Sequence, residues 1–433
     1  KGLSFRFTGN INPRWQHDFV IGASESKNNY VHQDSAQKIY KLRRFQLIDT
    51  IAKSEEVKNN IDDFQCTYNH SYQIDSRNTI HGGFSLNVVN STFFTAYGVQ
   101  SFIIDRQDTS RNYSTKSRIF SPFFRYVYNN QHLMMEAGLR GNRYNITKDK
   151  YPELRLQTSY KLSERFVLKA SAGNYHQFVN RIYVNKSLDY MSAWVCSDGE
   201  MFPVVSSRNI MSGFNYTIGK GFNLDVELYH RNTDDLTSVF TYFKRNAKNK
   251  LTQIRKYLYG TNSCSGMDVM LRKSFSHYSA WLAYTLSKSM IENKKVNNAA
   301  KYPASDDQLH ELKMFNTFSV GNWKLSASVV YGSGKTWQEI TQLQDRNVEL
   351  ISQRLPEYFR TDVSLAYSKQ LNRIKYSAGM TIFNVFNTKN TKTIVQKLSD
   401  NVLANIAENG SPIELSEVYG LGFTPNWFLG ITF

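Results

Sequence analysis

Residues 151–178 read YPELRLQTSYKLSERFVLKASAGNYHQF, and they contain two strand-like segments separated by the polar turn KLSERF. In the second segment, Phe166 and Leu168 lie on one face of an extended chain, whereas Lys169 lies on the other. Such alternation of apolar and polar residues is typical of a β-strand with two different environments. The same pattern recurs along the chain, and helical periodicity is nearly absent. The sequence therefore predicts an all-β protein.

The connections between these strands alternate between short and long. Short polar turns such as YNNQH and IGKGF are separated by long polar segments such as 181–205 and 332–355. A soluble β-sandwich or solenoid gives no reason for this alternation, whereas a transmembrane β-barrel has short periplasmic turns and long extracellular loops. The pattern predicts an antiparallel barrel with about 17 strands, each long enough to cross a bilayer. The predicted strands lie near 2–10, 17–28, 61–75, 78–94, 117–129, 132–144, 153–162, 165–178, 208–218, 221–231, 262–275, 278–289, 308–320, 323–334, 357–370, 373–386 and 424–433.

The odd number of strands bears on domain organisation. Single-chain bacterial barrels have even strand numbers with both ends in the periplasm. We therefore expect residues 1–433 to form one barrel domain that is incomplete at its N-terminal side, with at least one further strand upstream.

The composition excludes several classes of protein. The chain carries 53 Lys or Arg and 36 Asp or Glu, so its formal net charge is 53 − 36 = +17. Aromatic residues make up 14% of the 433 residues, which is too many for a disordered chain. No run of ~18 apolar residues predicts a membrane-spanning helix. The cysteines at 66, 196 and 264 lack the spacing of a zinc site, so no metal or other cofactor is predicted.

A barrel in a bilayer needs an aromatic girdle at each interface and a polar lumen. The girdle candidates flank the short turns, and they are Tyr160, Phe166, Tyr216, Phe222, Tyr278, Trp323, Tyr367, Tyr376 and Trp427. Charges that alternate with lipid-facing residues must point inward, because a charge facing lipid at the midplane costs several kcal/mol. The lumen-lining candidates are Lys169, Asp225, Glu227, Lys324, Arg360 and Asp362. They predict either a hydrophilic path and docking wall or ordinary cross-strand pairing.

Several segments occur in a recognisable order: residues 151–178, GTNSCSGMDVMLRKSF with WLAYTLSKS, YPASDDQLHELKMFNTFSVGNWKLSASVVYGSGKTW, RLPEYFRTDVSLAYS, IFNVFNTKN and WFLGITF. This series resembles the C-terminal half of TonB-dependent outer-membrane receptors. The terminal Phe433 resembles the signal read by the barrel-assembly machinery. The series runs from about residue 150 to 433 and is diffuse before that.

The resemblance implies a location in the outer membrane of a Gram-negative bacterium. Family barrels have 22 strands, so it also implies about five strands upstream, together with a plug and a TonB box. The implied function is TonB-energised uptake of a scarce bulky nutrient, such as a ferric chelate, haem, cobalamin or an oligomeric nutrient. The alternatives are a scaffold subunit of an outer-membrane assembly or secretion complex, and a passive porin. Expected partners are membrane lipid, lipopolysaccharide, TonB and a surface lipoprotein or other complex subunit.

No catalytic constellation is present, so an enzyme is not predicted. YGSGKT at 331–336 lacks the spacing of a phosphate-binding loop and ends a strand rather than opening a helix. The pairs Asp234–Asp235 and Asp306–Asp307 are interpreted as solvated loop charges rather than Ca²⁺ ligands, since Ca²⁺ needs six or more oxygen ligands. Three histidines, His176, His230 and His310, are expected at the extracellular mouth as polar loop residues, with haem or metal capture as the lesser alternative.

The strongest local charge lies in FKRNAKNKLTQIRKYLYG, which is predicted to be an extracellular loop. Its basic residues are Lys244, Arg245, Lys248, Lys250, Arg255 and Lys256. They are interpreted first as contacts to lipopolysaccharide or as plain solvation, and second as attraction of an anionic ligand. Nucleic acid is not expected, because no nucleic-acid-binding motif accompanies the charge.

Overall fold

The computed structural model describes residues 1–42, 45–100, 107–185, 190–245, 251–305, 307–343, 348–398 and 413–432. Twenty-four strands and one 3₁₀ turn lie within these ranges. The first twelve strands are β1 Gly2–Asn12, β2 Trp15–Leu42, β3 Phe45–Gln73, β4 Asn78–Gln100, β5 Gln107–Asn129, β6 Leu133–Tyr144, β7 Lys150–Ser163, β8 Phe166–Gln177, β9 Val179–Asn185, β10 Tyr190–Cys196, β11 Val205–Gly219 and β12 Phe222–Arg245. The others are β13 Leu251–Phe275, β14 Tyr278–Glu292, β15 Tyr302–Pro303, β16 His310–Val320, β17 Trp323–Gly332, β18 Thr336–Leu343, β19 Val348–Arg354, β20 Tyr358–Leu371, β21 Ile374–Phe383, β22 Thr391–Leu398, β23 Ile413–Tyr419 and β24 Thr424–Thr432, with the 3₁₀ turn at Asn297–Ala299 between β14 and β15.

One sheet contains 20 of these strands. Without the short β9, β10 and β15 it is a continuous antiparallel meander of 17 strands, in which each strand pairs with the next one along the chain. Every one of the predicted strands coincides with a member of this meander, so the predicted fold class is confirmed. Among the described residues, no helix has the length and apolar character needed to cross a membrane.

Eight short connections lie together at one end of the sheet, which we call the short-turn end. They join β1–β2, β3–β4, β5–β6, β7–β8, β11–β12, β13–β14, β16–β17 and β20–β21. Asn12, Asp75 and Asn130 each accept two backbone N–H groups within their own turn, at 2.7–3.0 Å. Side-chain acceptors of this kind form Asx turns, so the sequence specifies these reversals locally.

The opposite end differs from the prediction, and we call it the long-strand end. Segments 30–60 and 231–262 were expected to be long loops, but they are mostly continuations of β2, β3, β12 and β13. β2 has 28 residues and would extend ~90 Å at ~3.3 Å per residue, far more than the ~30 Å core of a bilayer requires. Polar alternation continues beyond the membrane-spanning part, and its composition is that of a loop although these residues remain paired in two-stranded ladders.

Three other long connections contain hairpins of their own. β9–β10 lies in the connection 181–205, β18–β19 in 332–355 and β22–β23 in 387–422. These hairpins were not predicted, because each is built from short runs, and those of β9–β10 and β18–β19 bury their apolar residues against distant parts of the chain.

The sheet is strongly curved at the long-strand end. The hydroxyl oxygens of Tyr113 on β5 and Tyr257 on β13 are 2.8 Å apart, although five strands of the meander lie between them. In a flat sheet, six strand-to-strand steps would place these positions ~29 Å apart at ~4.8 Å per step. The two sides of the sheet therefore face each other across an interior.

Candidate functional site

The interior face of the sheet carries an ion-pair cluster near the short-turn end. The Nζ atom of Lys169 on β8 lies 2.7 Å from Asp225 Oδ1 and 2.5 Å from Glu227 Oε1, both on β12. Strand β11 runs between them, and its Gly213 is paired with both Lys169 and Glu227. Because Gly213 has no side chain, the lysine reaches across the intervening strand to both carboxylates.

A second interior pair lies further along the sheet. The Nε atom of Arg360 is 2.8 Å from Asp362 Oδ1, and the guanidinium lies 5.2 Å from the centroid of the Phe383 ring. Asp362 also accepts the backbone N–H of Asn384 at 2.8 Å. Lys324, the remaining lumen-lining candidate, is exposed and forms no ion pair within the described ranges. The structure thus brings five of the six candidates into two groups of opposite charges, one lysine with two carboxylates and one arginine with one carboxylate.

Further interior ion pairs escaped the sequence analysis. Arg6 binds Asp18 at 2.6 Å, Arg125 binds Glu136 at 3.4 Å, and Arg155 binds the buried Glu153 at 2.7 Å. Strand parity could have found them, because each residue alternates with outward-facing apolar neighbours. Charges of both signs therefore recur around the wall, where they form ion pairs either between strands or two residues apart on one strand.

Eight of the nine predicted girdle residues lie beside the short turns, whereas Trp427 pairs with Met380 further along β21. Five of the nine expose 36–72% of their surface on the outer face, and these are Tyr160, Tyr216, Trp323, Tyr376 and Trp427. The other four contact neighbouring side chains. The Phe166 ring lies 5.8 Å from the Tyr216 ring, and the Tyr367 ring lies 4.8 Å from the Trp323 ring. Lys273 Nζ lies 4.4 Å above the Phe222 ring, and the Tyr278 hydroxyl donates to Asn316 Oδ1 at 2.6 Å. Half-exposed aromatics in this position fit a membrane interface.

The basic segment is not the loop that was predicted. Lys244 and Arg245 end β12, whereas Arg255 and Lys256 lie within β13 and pair with Thr241 and Phe240 of β12. Lys248 and Lys250 fall outside the described residues. The charges therefore lie along a projecting two-stranded ribbon, because the β12–β13 ladder continues to its turn. The assembly-signal candidate Phe433 also falls outside the described residues.

The three histidines are separated from one another. His176 Nδ1 lies 3.6 Å from Glu153, His230 Nδ1 is 2.7 Å from Ser265 Oγ, and His310 Nδ1 is 2.8 Å from the Tyr284 hydroxyl. Across the described part of the chain, no group of three or more His, Cys, Asp or Glu side chains is arranged to hold a metal ion.

The acidic pairs depart in part from their interpretation as solvated charges. Asp234 binds Arg208 at 3.1 Å and remains partly exposed. Asp307, in contrast, exposes only 1% of its side chain, binds Arg354 and accepts the backbone N–H of Ser289 at 2.6 Å. The expectation of a solvated loop charge is wrong for Asp307, because the β18–β19 hairpin covers it. Asp306 lies outside the described residues.

At the long-strand end, one segment lies inside the sheet, and we call it the inner strap and define it as residues 179–185 and 190–205. Its strand β9 pairs in parallel with β12, at Val184–Val239 and Asn185–Phe240. Its strand β10 contacts β3, β4 and β5 on another side of the interior. The strap therefore crosses the mouth of the interior between two sections of wall.

Apolar residues of the strap and both walls form one core. The strap contributes Ile182, Ala193, Val195 and Phe202, and the walls contribute Val57, Phe93 and Val239, all 1–5% exposed. The Phe202 ring packs edge-on against Tyr113 and Tyr257 at 6.4 and 5.6 Å. Sequence reasoning missed this core, since residues far apart in the chain supply it.

Comparison with known proteins shows which solved structures share this fold. No protein-family model matches the sequence, and no curated protein matches it. Solved structures do match along nearly the whole chain. The outer membrane transporter YddB from Escherichia coli is 10% identical with a TM-score of 0.58, and the match covers 98% of this chain and 67% of that one. The chain has the fold of an outer-membrane transporter barrel. The copper transporter OprC is 11% identical with a TM-score of 0.61 over 99% of this chain and 64% of its own.

The ferric citrate transporter FecA, in its unliganded form, is 11% identical with a TM-score of 0.58, over 99% of this chain and 69% of its own. The chain thus spans about two thirds of the lengths of these transporters. At the level of the fold, the resemblance to the barrel of TonB-dependent receptors is confirmed. In that barrel, the short-turn end is the periplasmic end and the long-strand end is the extracellular mouth.

Proposed function

We propose that this chain is the wall and mouth of an outer-membrane receptor that takes up a scarce nutrient, energised through TonB. The observation that carries the proposal is the match of the entire 17-stranded meander to transporter barrels. Two of the similar structures are a copper transporter and a ferric citrate transporter, so a metal ion or ferric chelate is the substrate class to test first.

The interior supports passage of a polar solute. Its charges are paired with opposite charges at the Lys169 cluster, which keeps a formal charge of −1, and at the neutral Arg360–Asp362 pair, so the lumen is hydrophilic without a large net field. A wall of paired charges binds a passing charged solute weakly. The selective step is therefore placed at the extracellular mouth.

Uptake in deletion and complemented strains tests the proposal. Cells lacking the native protein are supplied with the complete protein, and accumulation of radiolabelled ferric citrate and of copper(II) is measured with and without TonB. The proposed receptor restores TonB-dependent accumulation of one of these solutes. Accumulation that persists without TonB would point to a passive porin, and no accumulation of either solute would overturn this substrate class.

A further inference from the structure

The inner strap is anchored at one residue by an unusual number of hydrogen bonds. Asn59 on β3 donates from Nδ2 to the carbonyl oxygen of Trp194 at 2.9 Å, and its Oδ1 accepts the Trp194 N–H at 2.8 Å. Ser91 on β4 donates to the same carbonyl at 2.8 Å. The Asn59 amide thus replaces a strand neighbour for one residue of β10, and both Asn59 and Ser91 are buried.

A second anchor follows directly along the strap. The Sγ atom of Cys196 lies 3.5 Å from Ser117 Oγ on β5, and both residues are almost completely buried. The Tyr144 hydroxyl donates to the carbonyl of Ser197 at 2.5 Å. Asn180 donates to Ser197 Oγ at 3.0 Å and closes the base of the strap. The polar groups at these anchors are paired, as buried polar groups must be.

The third anchor ties the strap to the opposite wall. Asp198 Oδ1 accepts the N–H groups of Glu200 and Phe202, which turns the chain so that Phe202 enters the core between Tyr113 and Tyr257. The Tyr259 hydroxyl donates to the Glu200 carbonyl at 2.9 Å. The strap is therefore attached to β3, β4 and β5 on one side and to β12 and β13 on the other.

We propose that the inner strap is a fixed partition of the extracellular mouth, which limits the size of the solutes that pass, rather than a lid that opens for each of them. Lifting the strap would expose its apolar face to water and unpair several buried polar groups together, which makes an open state rare. A ligand then enters beside the strap. The role in solute selection rests on the proposed function, whereas the rigidity of the strap does not.

The test measures opening directly through the native Cys196. In intact energised cells, a membrane-impermeant maleimide is applied to a variant in which Cys66 and Cys264 are serine. A matched control carries Glu200→Cys in place of Cys196, which puts a thiol on the exposed tip of the same strap. We expect Cys196 to react at least about 100-fold more slowly than the control, since it reacts only from open states.

Weakening the anchor at Asn59 should raise the rate at which the maleimide labels Cys196. Asn59→Ala removes both bonds to Trp194 and should speed labelling of Cys196 about tenfold, because the Trp194 N–H loses its side-chain acceptor and the Trp194 carbonyl keeps only Ser91. Asn59→Asp keeps the acceptor but loses the donor, so a smaller increase is expected if the alanine variant does not assemble. Asn60→Ala, on the opposite face of β3, is the matched control and should leave the rate unchanged.

The alternative of a lid predicts different results. Adding ferric citrate or copper(II), or removing TonB, should leave the labelling rate of Cys196 unchanged for a partition. An increase of severalfold on addition of either solute, or labelling of the native strap at the rate of the Glu200→Cys control, would overturn the proposal. Because labelling needs no transport, a failure of the proposed uptake activity leaves these outcomes readable.

A disulfide lock gives an independent measurement. Ser117→Cys places a second thiol beside Cys196 and should close a disulfide that joins the strap to β5, whereas Lys116→Cys on the other face of β5 should not. In the uptake assay above, the locked and the reduced Ser117→Cys protein should accumulate the transported solute equally. Loss of uptake on locking, restored by reduction, would show a lid.

Discussion

At the short-turn end, the reversals are short and local, and in three of them Asn12, Asp75 or Asn130 accepts backbone N–H groups of its own turn. At the long-strand end, order comes from contacts such as Asn59 with Trp194, which are 135 residues apart. The first kind of structure depends on nearest neighbours in the sequence, and the second on the curvature of the whole sheet. The effects of mutations on stability should therefore differ between the two ends, both in magnitude and in how far they extend through the structure.

The largest effect is expected in the core that joins the strap to the walls. Phe93 is 2% exposed inside this core, whereas its neighbour Phe94 points to the other face of β4. Phe93→Ala should lower the free energy of unfolding by about 3–5 kcal/mol through lost burial and a cavity. Phe94→Ala should cost clearly less. Heat-dependent migration of the folded barrel in gels measures the stability of both variants. Equal losses of stability would contradict a buried apolar core inside the mouth.

The next effect concerns the buried charge under the β18–β19 hairpin. Asp307→Ala should destabilise the protein by about 2–3 kcal/mol, since Arg354 and the Ser289 N–H both lose their acceptor. The ion pair of Lys301 with Glu292, at 3.8 Å on the surface, is the comparison. Lys301→Ala should change stability by less than about 0.5 kcal/mol. Similar values for the two variants in urea unfolding would show that Asp307 is solvated, as the sequence suggested.

A smaller effect is expected in the lumen near the short-turn end. Lys169→Ala leaves the carboxylates of Asp225 and Glu227 close together without their cation, and should cost about 1 kcal/mol after allowance for partial solvation. Lys324→Ala on the same interior face should be neutral. The difference should shrink in high salt, and a difference that is independent of salt would argue against an electrostatic cause.

The smallest effect should appear in a single turn. Hydrogen bonds from the backbone N–H groups of Arg77 and Asn78 and from the Asn78 side chain hold the pKa of Asp75 below its usual value. The pKa is lower in the folded state, so the stabilisation is present above about pH 4 and is lost as the pH falls through the lowered pKa. Asp75→Asn keeps an acceptor that does not titrate. The difference in melting temperature between the native protein and Asp75→Asn should therefore shrink or reverse only at acidic pH.

Much of the fold could be predicted because its rules are local. The alternation of Phe166, Leu168 and Lys169 fixed which residues face outward, and the short turns fixed where the strands reverse. The Lys169–Asp225–Glu227 group was predicted as interior by the same parity, although its shared ion pairs depend on Gly213 between the strands. The ribbon that carries Lys256 was mistaken for a loop, because polar alternation looks the same in a solvated strand and in a loop.

The sequence by itself determined the 17 strands of the meander, the turns at the short-turn end and the outer and inner faces, since each depends on residues within a few positions of one another. Only the tertiary structure decided the inner strap, the burial of Asp307 and the meeting of Tyr113 with Tyr257. The physical reason is that these features need the curved wall to exist first. Apolar residues such as Ile182 and Phe202 acquire a core only when β3–β5 and β12–β13 face each other across the mouth.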